Sequence, residues 1–275
     1  MNRHFLLSIT MLLLPTLGIA EESLISSAEF SRKYMNEDSL VAALKFESFN
    51  YNEPNMNTQG LLMGVEGRFE HPLSTSLPST LVFNFEFLTG KANYTGVTWG
   101  GQPITSTNQF DIYQLETQYH LNNVSQIGLA GVTPLVGLGL RGTAQDKESE
   151  GDYRREYYYL YASAGLEFTW VLKTNSRIKF LGQADYLLNG YNNTHLSDAP
   201  GNMPDVTLNF TSGSAYRLSI EYDFPWDYGH EIQVSLNYTV WSLQASQSQA
   251  LGGDSQVYEP VNQTFLTGLN VGYLF

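Results

Sequence analysis

The chain has 275 residues and a formal net charge of -13, and it contains no cysteine. Disulfide bonds and thiolate metal sites are therefore excluded, and the acidic balance argues against nucleic acid as a partner. Charged residues make up 15% of the chain, below the ~25% that is usual for soluble domains, while aromatic residues reach 13%. This composition predicts a β-rich chain whose surface faces something other than water.

The first twenty residues have the pattern of a secretory signal peptide. Arg3 supplies a positive charge, an apolar run extends from Phe5 to Leu17, and a small residue stands at Ala20. The run is shorter than the ~20 residues that a membrane-spanning helix needs. We therefore expect residues 1–20 to direct export through the Sec pathway, with a short periplasmic lead-in over residues 21–38.

From residue 39 onward, apolar and polar residues alternate with a period of two. Ten segments show this alternation, and clusters of Gly, Pro, Asn, Asp and Ser separate them. Each segment is long enough for the ~9–11 residues with which a tilted strand crosses a bilayer. The pattern predicts that residues 39–275 form one all-β domain, an antiparallel up-and-down β-barrel of ten strands, with eight or twelve strands as alternatives. The segments are 39–50, 59–70, 80–90, 109–121, 133–144, 156–170, 177–189, 213–224, 230–242 and 264–275.

The content of the two faces is consistent from segment to segment. In the third segment Phe83, Phe85 and Phe87 share one face, whereas Asn84 and Glu86 lie on the other. An apolar outward face and a polar inward face are the signature of a membrane-spanning β-barrel. Loop lengths agree with this prediction, because such barrels have long extracellular loops and short periplasmic turns. The long connections are about 89–108, 145–155, 190–212 and 243–263.

The last segment carries a resemblance to a known family. It ends on Phe275, with Leu269, Val271 and Tyr273 on the same face. This ending resembles the carboxy-terminal signal that the barrel-assembly machinery reads in outer-membrane proteins of Gram-negative bacteria. Together with the signal peptide and the strands, it makes the chain similar to small proteobacterial outer-membrane β-barrels. Residues 46–69 of this chain also resemble the first hairpin of those proteins. The resemblance implies a location in the outer membrane, among lipid and lipopolysaccharide, and it implies no activity.

Charged side chains of both signs point inward in the predicted registers. Buried charges need partners of opposite sign, so we expect these residues to form a network inside the barrel. Barrels of about eight strands are filled by side chains, whereas a wide channel needs ~16 strands or more. A filled lumen is the favoured interpretation, and a narrow acid-biased pore for small cations or polar solutes is the alternative. The predicted network comprises Lys45, Glu47, Glu66, Arg68, Glu86, Glu116, His120, Arg141, Glu167, Lys179, Asp185, Arg217 and Glu221.

Two outer loops contain residues that could carry chemistry. His195 and Ser197 have the His-x-Ser spacing in which an imidazole activates a hydroxyl, as in barrel enzymes that deacylate lipid A. Asn193 stands where the omptin proteases have the aspartate of an Asp-x-His pair. Loop 145–155 begins like a calcium-binding loop but has Tyr157 where the bidentate glutamate is required. We therefore expect a solvated histidine and no metal site in these loops.

These observations favour a barrel that is not an enzyme and has no cofactor. Its long loops would act in surface binding, adhesion or the integrity of the outer membrane. A narrow porin-like pore is the first alternative function, and an enzyme that modifies outer-membrane lipid through His195 and Ser197 is the second. The expected partners are membrane lipid, lipopolysaccharide and the barrel-assembly machinery.

Overall fold

The computed structural model describes residues 37–73, 78–97, 101–122, 124–127, 130–146, 153–172, 174–198, 203–226, 230–252 and 255–275. The predicted signal peptide and most of the predicted lead-in lie outside these residues. Within the described ranges, no helix has the length and apolar character to cross a membrane.

The described residues form strands almost throughout, with one helical turn at Leu196–Asp198. The longest strands have 18 or 19 residues, well beyond the span that a bilayer requires. The strands are β1 Ser39–Glu53, β2 Met56–Leu73, β3 Ser79–Val97, β4 Pro103–Leu121, β5 Ser125–Ile127, β6 Ala130–Asp146, β7 Arg155–Val171, β8 Arg177–Thr194, β9 Val206–Phe210, β10 Gly213–Pro225, β11 Glu231–Leu243, β12 Gln249–Gly252, β13 Ser255–Val257 and β14 Asn262–Leu274.

Ten of these strands close into an antiparallel barrel, in the order β1, β2, β3, β4, β6, β7, β8, β10, β11 and β14. Closure is made by β14 and β1, which pair from Val41 opposite Leu274 to Asn52 opposite Gln263. A closed barrel leaves no strand edge in lipid, where an unpaired N–H or C=O would be costly. The predicted all-β fold and the predicted number of ten barrel strands are confirmed.

The outward face of the barrel carries an apolar band. Leu44, Leu61 and Leu236 are 58%, 61% and 59% exposed, which reverses the arrangement of a soluble protein. A continuous apolar surface of this size is stable only against hydrocarbon or a partner. The band therefore marks the membrane-spanning section of the strands.

The strands continue beyond the band at one end of the barrel, which we call the loop end because residues 98–102, 147–154, 195–212 and 244–261 connect strands there. The outward residues of this section are polar: Asn57 of β2 donates to the Oδ1 atoms of Asn50 and Asn52 at 2.8 and 2.5 Å. For several strands, the segment predicted from the sequence ends before the strand itself does at this end of the barrel. The amphipathic alternation stops at the membrane surface, whereas the backbone ladder does not depend on it.

The opposite end, which we call the turn end, holds Ser39, Phe275 and the connections 74–78, 122–129, 172–176 and 226–230. Both ends of the barrel domain meet there, because the number of strands is even. The backbone N–H of Phe275 donates to the carbonyl of Leu40 at 2.9 Å, so the last residue belongs to the closing ladder.

Candidate functional site

An aromatic layer crosses the lumen in the half nearer the loop end. Tyr51 of β1 and Tyr157 of β7 lie on strands directly opposite each other in the ten-stranded barrel, yet their ring centroids are 6.4 Å apart. Tyr159 stacks on Trp241 of β11 at 5.8 Å. The cavity left among these rings is about 20 Å³, which is room for about one water molecule. The layer therefore closes the lumen at this level.

A loop segment is held over the aromatic layer by a buried carboxylate. Glu259 Oε1 accepts hydrogen bonds from the hydroxyls of Tyr157 at 2.7 Å and Tyr51 at 3.0 Å. Its Oε2 accepts from Nδ2 of Asn192 at 3.1 Å, and Arg155 Nη1 lies 3.7 Å from Oε1. These contacts join the segment before β14 to three barrel strands and seal the mouth above the rings.

On the other side of the layer, the lumen widens into a cavity of about 420 Å³ that extends to the turn end. We call this cavity the vestibule. The structure places most of the charged residues predicted from the sequence in its wall, and Asp185 is joined to them through Arg217. The wall residues from that prediction are Lys45, Glu47, Glu66, Arg68, Glu86, Glu116, His120, Arg141, Glu167, Lys179, Arg217 and Glu221.

The first ion-pair group of the lumen centres on Arg217 of β10. Its Nη1 and Nη2 lie 2.7 and 3.1 Å from the two carboxylate oxygens of Glu116. Its Nε and Nη2 lie 2.7 and 2.9 Å from those of Asp185. Gln183 donates to both carboxylates, at 3.0 and 2.9 Å. A guanidinium that is bidentate to two carboxylates has rigid geometry, so this group holds β4, β8 and β10 in a defined arrangement.

A second ion-pair group lies nearer the turn end, around Glu221. Arg68 binds its carboxylate in bidentate fashion at 3.0 and 3.2 Å, and Lys179 Nζ approaches it at 2.6 Å. Four further members were missed by the sequence prediction. Three of them stand two residues from a predicted member on the same face, and following the alternation one step further would have found them: Glu70, Arg177 and Asp223. The fourth is Glu231 of β11, which contacts Arg177.

A third group contains Lys45, whose Nζ lies 3.0 Å from Glu47 Oε1 and 3.6 Å from Glu66 Oε2 and contacts Glu86. Asn270 of β14 donates from Nδ2 to Glu66 at 2.8 Å. These residues come from four neighbouring strands, β14, β1, β2 and β3. The group lies in the vestibule wall below the aromatic layer.

The histidine of the predicted His-x-Ser pair lies at the loop end, outside the lumen. Nδ1 of His195 is 3.3 Å from Asp205 Oδ2, and Nε2 is 3.5 Å from Glu156 Oε2. Asp205 also accepts the backbone N–H of Ser197 at 2.9 Å, and this bond holds the pKa of Asp205 below its ordinary value. Among the described contacts, the imidazole is bound by carboxylates and not by the Ser197 hydroxyl, so the His-x-Ser pair, which was the less favoured alternative, is not formed.

The carboxylate partners of His195 could not be found from spacing alone. Asp205 follows it by 10 residues across a loop, and Glu156 precedes it by 39 residues on β7. Within the described ranges, no group of three or more His, Asp or Glu side chains has the geometry to hold a metal ion. Most of the loop that resembled a calcium site lies outside the described residues.

No family model matches the chain, and no curated protein matches it in sequence. In structure it is similar to the outer membrane protease OmpT from Escherichia coli, with a TM-score of 0.51 and 9% identity over 88% of this chain and 98% of that chain. The transport unit of the autotransporter AIDA-I from Escherichia coli (TM-score 0.45, 9% identity, 88% and 91%) is also similar. So is Ail, the attachment invasion locus protein of Yersinia pestis (0.32, 11%, 88% and 100%). The fold is that of Gram-negative outer-membrane β-barrels, which confirms the resemblance drawn from the sequence and indicates that membrane as the location.

The likeness to OmpT corrects one prediction. From the sequence we predicted that the chain is not an enzyme. That prediction does not stand, because OmpT, whose barrel fold is similar to the one seen here, is a protease. The fold thus occurs in enzymes as well as in proteins without catalytic activity. At 9% identity the likeness concerns the fold and does not bring the reaction with it.

Proposed function

We propose that the protein acts at the cell surface, where the loop end of the barrel binds an extracellular ligand or stabilises the outer leaflet, and that its lumen does not conduct solutes. The turn end would then face the periplasm. The aromatic layer is the observation that carries this proposal. Passage through it would require stacked rings to separate and two buried hydroxyls to leave Glu259, both of which are costly.

The outward surface of the loop end supports a role in recognition. Above the apolar band, neutral amides and hydroxyls pair across neighbouring strands: Thr107 donates to Asn93 at 3.1 Å, and Thr207 donates to Asn193 at 2.9 Å. Such groups donate and accept hydrogen bonds without the desolvation cost of a charge. They suit uncharged polar partners, of which sugar hydroxyls in the outer leaflet are the nearest.

Planar-bilayer recording of the purified protein tests the closed lumen. The wild-type protein should show no discrete conductance steps, whereas a variant with Tyr159→Ala and Trp241→Ala should show them. Tyr158→Ala is the matched control, because Tyr158 stacks on Tyr191 at 5.0 Å on the outer face. Steps from the wild-type protein would establish the narrow pore instead. Silence of the double variant, in a correctly folded sample, would show that the layer is not what closes the lumen.

A second candidate function is acid–base chemistry on outer-membrane lipid at His195. The observation that favours it is Asp205 at Nδ1, since a carboxylate on one ring nitrogen orients an imidazole for proton transfer at the other, where Nε2 lies 3.5 Å from Glu156 Oε2. His195→Gln should then abolish a change in lipid A that mass spectrometry detects in cells with the wild-type protein. Ser197→Ala should leave that change intact, because the hydroxyl is not bound to the ring. An identical lipid A profile with and without the wild-type protein would exclude this candidate.

A further inference from the structure

A pair of buried carboxylates joins a loop hairpin to the barrel wall at the loop end. Strands β12 and β13 form this hairpin, which we call the mouth hairpin, and Ser246 and Glu259 close its base. The backbone N–H of Ser246 donates to the Glu259 carbonyl at 2.9 Å, and the N–H of Glu259 donates to Ser246 Oγ at 2.8 Å. The carboxylate of Glu259 anchors this base to β1, β7 and β8 through its bonds to Tyr51, Tyr157 and Asn192.

The second carboxylate of the pair belongs to Glu53, the last residue of β1. The side chains of Glu53 and Glu259 are 9% and 6% exposed. The Tyr51 hydroxyl lies between them, 2.6 Å from Glu53 Oε1 and 3.0 Å from Glu259 Oε1. The Tyr157 hydroxyl lies 2.7 Å from Glu259 Oε1. Four oxygen atoms thus make three contacts of hydrogen-bond length.

These three contacts need one more proton than the two tyrosines supply. A hydrogen bond between two oxygen atoms requires a proton between them, and each tyrosine hydroxyl has one. If Tyr51 and Tyr157 both donate to Glu259, the 2.6 Å contact between Tyr51 and Glu53 has no proton. A protonated Glu53 supplies it, because its O–H then donates to the Tyr51 oxygen. The geometry is therefore that of a carboxyl pair that holds a single proton.

Arg155 balances only one of the two carboxylates when both are ionised. Its Nη1 lies 3.5 Å from Glu53 Oε1 and 3.7 Å from Glu259 Oε1, longer than the ~2.7–2.9 Å of a direct charge-assisted hydrogen bond. Its Nη2 donates to the Tyr153 hydroxyl at 2.7 Å. With one proton on the pair, the charges of Glu259 and Arg155 cancel. Without that proton, the buried group has an uncompensated negative charge, which is unfavourable.

We propose that Glu53 and Glu259 form a proton-dependent latch, which holds the mouth hairpin over the barrel while the pair shares a proton and releases it when both carboxylates ionise. The hairpin is the part that moves, because Glu259 lies outside the barrel strands, whereas Glu53, Tyr51 and Tyr157 belong to paired strands. Release would uncover the aromatic layer at the loop end. The latch goes beyond the proposed function, since it concerns when the loop end is covered and not what it binds.

The other side of the hairpin has attachments that do not titrate. The backbone N–H of Gln247 donates to the carbonyl of Asn209 at 2.9 Å, and that of Gln244 donates to Ser212 at 3.1 Å. Neither bond depends on the charge of a side chain. The hairpin would therefore swing about this attached side when the latch opens.

The surroundings of Glu53 give the direction of the response. Burial and the neighbouring Glu259 carboxylate raise the pKa of Glu53 from 4.5 to about 7, against the opposing effect of Arg155. The latch is therefore most stable below pH 4.5, weakens as the pH rises to about 7, and weakens little further above it. Tyrosine ordinarily ionises only near pH ~10, so the hydroxyls that face the pair do not titrate in this range. They belong to Tyr51, Tyr157 and Tyr159.

Infrared spectroscopy of the purified, detergent-folded protein tests the shared proton. A protonated carboxyl group has a C=O stretching band that is separate from the bands of carboxylates. The wild-type protein should lose one such group with a midpoint near pH 7, and Glu53→Gln should lack this step. Asp111→Asn is the control and should keep the step, because Asp111 is a carboxylate outside the pair that is bound by Thr89 at 2.6 Å.

Electron paramagnetic resonance of a spin label tests the movement of the hairpin. The chain has no cysteine, so Gln256→Cys at an exposed position of β13 takes a single nitroxide label. The ratio of mobile to immobilised label should rise on the order of a hundredfold between pH 5 and pH 8, as the shift of the Glu53 pKa from 4.5 to about 7 requires. In Glu53→Gln the amide cannot ionise, so the label should stay immobilised at both pH values.

Folding of each variant is checked by heat-modifiable migration on a gel. If Glu53→Gln does not fold, Glu259→Gln provides a second test and should also abolish the pH response, because a single carboxylate remains beside Arg155. Equal label mobility at pH 5 and pH 8 with Glu53 and Glu259 intact would overturn the proposal. A rise in mobility that persists in these variants, or an infrared step that is unchanged in Glu53→Gln, would overturn it as well.

Discussion

Replacing Arg217 by methionine should destabilise the barrel strongly. Arg217 makes four short contacts with Glu116 and Asp185, whose side chains are 1% and 0% exposed. Methionine fills much of the same volume but leaves two buried carboxylates without a counter-charge. Breaking a buried ion pair by removing one partner costs about 3–5 kcal/mol. Gln183 and Ser163 still donate to these carboxylates, so we expect a loss within that range and not the sum for two pairs.

The free energy of unfolding is measured by denaturant titration of the protein in lipid vesicles, followed by tryptophan fluorescence. The midpoint should shift while the slope stays constant, because the surface exposed on unfolding is the same. Adding Glu116→Gln and Asp185→Asn to the Arg217→Met variant should recover most of the loss, since no uncompensated charge remains. A loss below about 1 kcal/mol for Arg217→Met alone is what an exposed pair would give, and it would refute the reasoning.

Three further predictions concern the outer face, the last strand and the loop end. Leu236→Arg places a charge in the apolar band and should lower the free energy of unfolding by about 2–4 kcal/mol in the same titration. Deletion of Phe275 removes a residue of the closing ladder and should impair membrane insertion, seen as heat-modifiable migration, far more than a deletion within the 244–261 connection. The pKa of Asp205 is lowered from 3.8, so its bond to Ser197 stabilises the loop above that value and is lost as the pH falls through the lowered pKa. Hydrogen exchange of the Ser197 amide, relative to its intrinsic rate, should therefore become faster in acid, and also in Asp205→Asn at neutral pH. Protection equal to that of the wild-type protein at neutral pH, in acid and in the variant, would contradict the predicted loss of this bond.

The faces of the strands follow from the sequence because alternation is a property of consecutive residues. Leu81, Phe83 and Phe85 must share one face of any extended strand, whatever the rest of the chain does. Ten such segments with apolar outward faces are sufficient to predict a barrel in a membrane, and the fold agrees. The polar extension at the loop end was missed because its strands are held by backbone pairing, which leaves no apolar pattern to read.

The aromatic layer illustrates a different limit. Residues 157–161 read Tyr-Tyr-Tyr-Leu-Tyr, so both faces of this part of β7 are aromatic and alternation does not separate them. In the structure Tyr157 and Tyr159 close the lumen, whereas Tyr158 stacks on Tyr191 on the outer face. The layer exists because β1, β7 and β11 bring rings to one level of the barrel, and that level depends on the stagger of every strand between them.

The sequence by itself determined the compositional class, the ten barrel strands and the inward direction of most of the charged residues in the lumen. Only the tertiary structure decided which charged side chains meet. Arg217 binds Glu116, which is 101 residues away in the sequence. His195 contacts Asp205 and Glu156, which are 10 and 39 residues away. Local alternation has a period of two and needs no long-range information. Contacts across a lumen depend on register, tilt and closure accumulated over all ten strands. A one-residue slip in the register of any strand would turn its side chains to the other face and so change their partners.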